Sequence, residues 1–144
     1  MTANKPLKIY IVDDDAELIE FMVLVLEAQG HRVFADIGAA IAIPRIAAKR
    51  PDVVLVDLMM PEVDGLELCR ELRAKPELKN TAIVFVSART EDLWRDRATE
   101  MGADGYIEKP LLAETFAELV ENAVAAARAG AEQPAAAGAV PGRR

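Results

Sequence analysis

The sequence predicts an α/β fold in which helices cover both faces of one parallel sheet. Five short apolar runs alternate with five segments of helical periodicity, a pattern typical of parallel strands joined by crossover helices. Residues 53–56 are apolar without polar alternation, as expected of a strand buried on both faces. Several runs also end in a polar residue, at the edge where open α/β sheets bind ligands.

The strands are predicted at residues 7–12, 31–35, 53–57, 82–86 and 105–108. The helices are predicted at about 16–29, 39–50, 65–74 and 90–101, with a fifth starting after Pro110 and carrying an apolar face of Leu112, Phe116, Leu119, Val120 and Val124. Asp15 suits the N-cap of the first helix, and Gly30 ends it. Pro44 falls inside the second helix, so this helix either begins near Pro44 or is kinked there.

Length and charge limit the classes of function. The chain has 144 residues and a net charge of -7 without a basic stripe, so one domain and no direct nucleic-acid binding are expected. No apolar run is long enough to span a membrane, and the N-terminus lacks a signal-peptide core, which predicts a cytoplasmic protein without membrane association. We expect residues 1–128 to form the domain and residues 129–144 to be a flexible Ala/Gly/Pro-rich tail or a truncated linker.

Two chemically versatile residues are expected to have structural roles only. Cys69 lies at helical spacing with Leu66 and Leu72 and is expected to pack as a small hydrophobe. His31 is the only histidine and stands beside a glycine turn, so neither a metal nor a catalytic role is expected for it.

Polar residues end four of the predicted strands. Asp13 and Asp14 follow the first, Asp57 ends the third, Ser87 follows the fourth, and Lys109 follows the fifth. Clustered carboxylates are unfavourable without a cation, and their oxygens suit Mg2+. If Asp57 attacks a phosphorus centre it becomes an acyl phosphate, whose oxygens Mg2+, Lys109 and Ser87 would neutralise.

The chain resembles the receiver domains of bacterial two-component response regulators, and over residues 7–128 it is similar to the chemotaxis regulator type. The resemblance is carried by Val12-Asp13-Asp14-Asp15, Asp57-Leu58-Met59-Met60-Pro61 with Asp64-Gly65, Ser87-Ala88, and the run from Gly102 to Lys109-Pro110. It implies a flavodoxin-like (βα)5 doubly wound sheet of strand order 2-1-3-4-5. It also implies a cis Lys109-Pro110 bond, whose isomer the sequence itself leaves open.

The resemblance further implies roles for the site residues. Asp57 would accept a phosphoryl group from a histidine kinase or histidine phosphotransfer protein. Mg2+ would be bound by Asp14, Asp57 and the Met59 backbone carbonyl, with Asp13 acting through water. Ser87 and Tyr106 would form a switch pair that changes the surface of helix 4, strand 5 and helix 5, the surface through which a homodimer could form. The positions of Met59 and Arg89 would influence the lifetime of the acyl phosphate. We expect apolar Met59 and the long Arg89 side chain to shield it from water and so to lengthen that lifetime.

Two other functions compete with this interpretation. A haloacid-dehalogenase-like phosphatase also uses an aspartate after a buried strand, but it needs a second aspartate two residues later, where this chain has Met59. A pseudo-receiver that binds partners without phosphorylation would not need the full set of acids, hydroxyl and lysine. The expected protein is therefore a signalling domain that catalyses only its own phosphorylation and dephosphorylation, either alone or followed by an output domain.

Overall fold

The computed structural model describes residues 5–39, 41–60 and 64–132. Five parallel strands form one sheet in the order β2-β1-β3-β4-β5, which confirms the predicted topology. The strands are β1 Lys8–Asp13, β2 Arg32–Ile37, β3 Val53–Asp57, β4 Ala82–Ser87 and β5 Gly105–Glu108. The helices are α1 Ala16–Ala28, α2 Ala42–Lys49, α3 Gly65–Arg73, α4 Asp92–Glu100 and α5 Phe116–Glu132, with a short 3-10 turn at Pro76–Leu78.

The central strands are buried on both faces, as their unbroken apolar sequence predicts. Every residue of β3 and β4 is buried. One core cluster packs the sheet against α1 and α5, and the other packs it against α2, α3 and α4. Burying an aliphatic or aromatic side chain of this size contributes about 1.5–3 kcal/mol, so these two clusters are the main source of the stability of the sheet.

The two ends of α1 lie where the sequence predicts them. The side chain of Asp15 accepts a hydrogen bond from the Leu18 amide, which satisfies one of the free N–H groups at the helix N-terminus. Gly30 follows the last turn with φ of +93°, a conformation that favours glycine. Ile19, Met22 and Leu26 form the buried face.

The position of Pro44 in α2 settles the question that the sequence left open. The helix runs from Ala42 to Lys49, so Pro44 is its third residue. A proline in the first turn costs no intrahelical hydrogen bond, because the amides there have no partner within the helix. The helix therefore begins just before Pro44.

The predicted start of the fifth helix is wrong. Pro110 is followed by a turn, and α5 begins only at Phe116, whose amide donates to the Leu112 carbonyl at 2.9 Å. Leu112 thus lies outside the helix and is 57% exposed, and Leu119 is 44% exposed. The core face of α5 is narrower than predicted, because Phe116, Val120 and Val124 fill it at a spacing of four residues.

At its other end α5 extends to Glu132, past the predicted domain boundary at residue 128. Most of the predicted tail, residues 133–144, lies outside the described residues. Among the helices that the structure describes, none combines the length and apolar character needed to cross a bilayer.

Candidate functional site

The acidic residues predicted to converge do so at the carboxyl edge of the sheet. Asp13 is the last residue of β1 and Asp57 the last of β3, and these two strands are neighbours. Asp14 follows in the β1–α1 loop. One carboxylate oxygen from each of the three lies within 4.8 Å of the others. Asp13 is 1% and Asp57 7% exposed, whereas Asp14 is open to solvent, so the cluster has a buried base and an accessible mouth.

Burial and mutual repulsion disfavour ionisation of the two buried acids. Burial, followed by repulsion from Asp13, raises the pKa of Asp57 to about 7, against the opposing effects of Lys109 and the Met59 amide. Burial also raises the pKa of Asp13. Charge in this pocket is therefore incompletely compensated by the protein, which is the condition under which a bound cation is strongly favoured.

Lys109 provides the one protein cation that contacts the cluster among the described residues. Its ammonium lies 3.8 Å from Asp57 Oδ1 and 3.9 Å from Asp13 Oδ2. The backbone fixes this position, since the Lys109 amide donates to the Ser87 carbonyl at 2.8 Å. The Lys109-Pro110 peptide bond is cis, as the resemblance implies. At these distances the ammonium has room to approach an additional anionic group held by Asp57.

Ser87 and Tyr106 both bond to the backbone of Arg89. Ser87 is buried at the end of β4, immediately after the residue that pairs with Asp57 across the sheet. Its hydroxyl oxygen accepts a hydrogen bond of 3.0 Å from the Arg89 amide. The hydroxyl of Tyr106, which is half-buried against Phe85, donates to the Arg89 carbonyl at 2.8 Å. The two residues of the predicted switch pair are therefore linked through Arg89.

The side chain of Arg89 packs against a residue of α4. Its guanidinium lies 5.5 Å from the centre of the Trp94 ring on α4, and that of Arg97 lies 6.0 Å from the same ring. The side chain is thus engaged with α4. The predicted effect of Arg89 on access of water to Asp57 stays a prediction, as does that of Met59, which is 48% exposed.

Gly65 lets α3 approach the acidic loop closely, a feature that the sequence analysis did not identify. A Cβ atom at this position would lie 2.5 Å from the Asp57 carbonyl oxygen and 2.7 Å from that of Leu58. The Gly65 amide also donates to the Leu58 carbonyl at 3.1 Å, and the Asp64 side chain caps α3. Pro61, part of the predicted motif, lies outside the described residues.

The two residues expected to be structural are both buried and bonded. Cys69 donates to the Met101 carbonyl at 3.5 Å, and burial raises its pKa to about 12. His31 accepts from the Leu7 amide through Nδ1 at 2.9 Å, and its Nε2 lies 2.8 Å from Glu121. The predicted packing of Cys69 in the core is confirmed.

The donor set fits Mg2+. This ion takes one or two carboxylates and keeps several waters, so it needs an acidic pocket open on one side rather than a closed cage. Asp13, Asp14 and Asp57 supply oxygens at suitable mutual distances, and the exposure of Asp14 leaves a path for water. No thiolate or imidazole lies among these three ligands, which excludes the donor sets typical of structural zinc.

A curated relative and two solved structures resemble this chain. The phosphate regulon transcriptional regulatory protein PhoB of Rhizobium meliloti (strain 1021) is 38% identical over 103 residues, which cover 72% of this chain and 45% of PhoB. This chain therefore spans less than half the length of that relative.

The N-terminal receiver domain of RstA from Klebsiella pneumoniae, in a BeF3-activated form, is 30% identical, with a TM-score of 0.73 over 81% of this chain and 97% of that one. The chemotaxis protein CheY4 of Vibrio cholerae, at 24% identity, supports the fold alone, with a TM-score of 0.78 over 83% of this chain and 99% of that one. Residues 9–131 match the response regulator receiver domain family, and with the fold and the acidic pocket in agreement, the chain belongs to that family.

Proposed function

We propose that this chain receives a phosphoryl group on Asp57 from a histidine kinase or a histidine phosphotransfer protein. The single observation that carries the proposal is the Lys109 ammonium at 3.8 Å from the Asp57 carboxylate, inside a pocket of three acids. In the reaction a carboxylate oxygen of Asp57 forms a bond to phosphorus. The bond from phosphorus to the donor nitrogen breaks, and the donor imidazole leaves with the electron pair.

The acidic pocket is proposed to hold Mg2+. Asp14, Asp57 and the Met59 backbone carbonyl would be direct ligands, and Asp13 would act through a water molecule. When bound, Mg2+ neutralises charge that develops on the phosphoryl oxygens.

Lys109 and Ser87 would contact the remaining phosphoryl oxygens. The Lys109 ammonium already faces Asp57, so it can bind an oxygen of the new group by a short shift of a flexible side chain. The Ser87 oxygen accepts from the Arg89 amide, which leaves the hydroxyl hydrogen available to donate to another oxygen. Charge-assisted hydrogen bonds of this kind would stabilise the phosphorylated form.

Phosphorylation is proposed to shift the packing of α4, β5 and α5. The Arg89 amide donates to Ser87, the Arg89 carbonyl accepts from Tyr106, and the Arg89 side chain contacts Trp94 on α4. A movement of the Ser87 hydroxyl toward a phosphoryl group would therefore change contacts on that surface. This is a population shift between two packings, driven by the contacts that the phosphoryl group makes better in one of them.

From its membership of the family we also propose what kind of protein this chain is and where it acts. The chain is a signalling domain that catalyses only its own phosphorylation and dephosphorylation, and it acts in the cytoplasm. The residues after α5, which ends at Glu132, are proposed to be a tail or the start of a linker to an output domain. PhoB is described as a transcriptional regulator, and this chain corresponds to 45% of its length. A homodimer through α4, β5 and α5 is the proposed route to output.

Neither competing function is favoured by a specific observation. Met59 occupies the position where a haloacid-dehalogenase-like phosphatase needs its acid. A pseudo-receiver interaction module would have no need for a lysine ammonium aimed at Asp57.

Phosphoryl transfer can be tested by mass spectrometry of the intact chain incubated with acetyl phosphate and Mg2+. We expect a gain of one phosphoryl group, lost in Asp57→Asn and retained in Asp96→Asn, a matched change at an exposed position on α4. Loss of the label in hydroxylamine would identify an acyl phosphate. A chain that gains no mass, or gains it equally in Asp57→Asn, would refute the assignment.

The Mg2+ site can be tested separately by thermal unfolding. A ligand that binds only the folded state stabilises it by RT ln(1 + [L]/Kd), so about 10 mM Mg2+ with a Kd of about 1 mM should add roughly 1.4 kcal/mol. Ca2+ should compete, and Asp14→Ala should remove the effect. The same melting temperature in Mg2+ and in chelator would contradict the site.

A further inference from the structure

A cleft at the β2 edge of the sheet lies outside the phosphoryl site. It is situated between β2 and α2, has a volume of about 450 Å3, and is lined by Tyr10, Phe34, Ala35, Arg45, Ala48 and Lys49. This volume falls in the range of clefts that bind ligands. None of its lining residues belongs to the acidic pocket.

The floor of the cleft is aromatic and firmly held. The ring of Phe34 stacks on that of Tyr10, with centroids 6.2 Å apart. Tyr10 is fully buried and its hydroxyl donates to the carboxylate of Asp36, which also accepts from Arg45 at 2.9 Å. Phe34, in contrast, is only half-buried, so part of its ring surface is open to the cleft.

The rim of the cleft is cationic. The Lys49 ammonium lies 4.1 Å from the centre of the Phe34 ring, and the Arg32 guanidinium lies 5.5 Å from it. The Arg45 side chain is 57% exposed despite its ion pair. The Lys8 ammonium also lies here, donating to the Lys49 carbonyl at 2.8 Å. These cations place positive charge beside an aromatic ring, so a ligand that carries a carboxylate and an apolar group can contact both.

The segment of residues 31–50, which supplies every lining residue of the cleft except Tyr10, is basic in an otherwise acidic chain. Residues 31–50 contain four cations (Arg32, Arg45, Lys49 and Arg50) and one acid (Asp36), a net charge of +3. The whole chain carries -7, so the remainder carries -10. Cations on an edge strand discourage pairing with other sheets, which accounts for Arg32. It does not account for Arg45 and Lys49, which lie on α2, nor for the half-buried ring of Phe34.

We propose that the cleft between β2 and α2 docks an acidic peptide segment of a partner protein, with one aromatic or aliphatic side chain against Phe34. The charge of the rim selects carboxylates, and the half-open ring provides the apolar contact. β2 pairs with β1 alone among the described strands, so an extended segment has room along its outer edge. The interaction does not depend on Asp57, because the cleft and the acidic pocket share no residue.

The test is an NMR titration of the 15N-labelled full chain with an acetylated hexapeptide of alternating Glu and Asp around one central Phe. We expect saturable shifts confined to amides of residues 31–50 and of strand β1, weaker at high salt. A peptide with Ser in place of Phe should bind more weakly. Lys49→Glu should weaken binding by about tenfold, whereas the same change of charge in Arg97→Glu, on α4, should leave it within about twofold.

Three results would overturn the proposal. The first is chemical shifts that never saturate or that spread over the whole surface. The second is an equal loss of peptide affinity in Lys49→Glu and Arg97→Glu. The third is shifts that appear on raising the protein concentration alone, which would identify a second copy of this chain as the occupant. Acetyl phosphate labelling of Lys49→Glu should match that of the parent chain, so a failure at the cleft is distinguishable from a failure at Asp57.

Discussion

Replacing Asp57 by asparagine should stabilise the chain when divalent cations are removed. The substitution keeps the shape of the side chain and removes a charge that burial and Asp13 both disfavour. The pKa of Asp57 rises from 3.8 to about 7 in the folded state. Since each pKa unit corresponds to about 1.4 kcal/mol, ionising this carboxyl costs the folded state an upper limit on the order of 4 kcal/mol.

Not all of this energy is recovered, because a buried amide has a desolvation cost of its own. We therefore expect Asp57→Asn to raise the free energy of unfolding by about 1–3 kcal/mol at pH 8 in chelator. The dependence on pH follows from the raised pKa. Below pH 3.8 the carboxyl is neutral in both states, and its cost grows as pH rises from 3.8 to about 7 and is constant above that.

Urea unfolding of the two chains between pH 4 and pH 8 measures the effect. Asp96→Asn is the matched control, since Asp96 is exposed on α4 and its replacement should change stability by less than about 0.5 kcal/mol. A stability difference between Asp57→Asn and the parent that stays flat across this pH range would refute the electrostatic reasoning. So would a variant less stable than the parent at pH 8 in chelator.

Three further predictions concern stability and reactivity. Gly65→Ala should lower the free energy of unfolding in urea by about 2–4 kcal/mol, because the new Cβ would lie 2.5 Å from the Asp57 carbonyl oxygen. A denaturant midpoint equal to that of the parent would contradict this. Arg50→Gly should raise the free energy of unfolding by roughly 0.5–1 kcal/mol in the same assay, because Arg50 ends α2 with φ of +47°, a conformation that favours glycine. An unchanged or lower free energy of unfolding would count against a conformational cost at this position. Cys69, with its pKa raised to about 12 by burial, should react with a disulfide reagent at pH 8 only at the rate of unfolding, and rapid labelling of the folded chain would show that the thiol is accessible.

Most of the sheet and the placement of the acidic pocket could be predicted because both depend on local patterns. Unbroken apolar runs locate buried strands, and parallel strands bring their carboxyl ends to one edge. That rule brings Asp13, Asp57 and Lys109 to one edge, and the strand order implied by the family resemblance places β1 beside β3. The finer assignment of each residue's role in phosphoryl transfer came from family resemblance and stays a prediction.

What the sequence did not show depends on contacts between distant residues. Leu112 has the spacing of a helical residue. Only its exposure in the folded chain shows that it lies in a turn before α5 and not in the first turn of that helix. Tyr10 was part of an apolar run, and its hydroxyl partner Asp36 lies 26 residues further on, beyond the predicted end of β2. The steric role of Gly65 likewise depends on how closely α3 passes a loop that no local pattern describes.

The environment of His31 has a consequence for where the phosphoryl group originates. It is the sole imidazole in the sequence, its side chain is 1% exposed, and both ring nitrogens are engaged, by the Leu7 amide and by Glu121. Neither nitrogen can serve as an internal phosphorus carrier while the domain stays folded. Any phosphorylated histidine that feeds Asp57 must therefore belong to a different polypeptide or to a region outside these 144 residues. A phosphoryl label on this chain that hydroxylamine removes can be assigned to a carboxylate without ambiguity from imidazole.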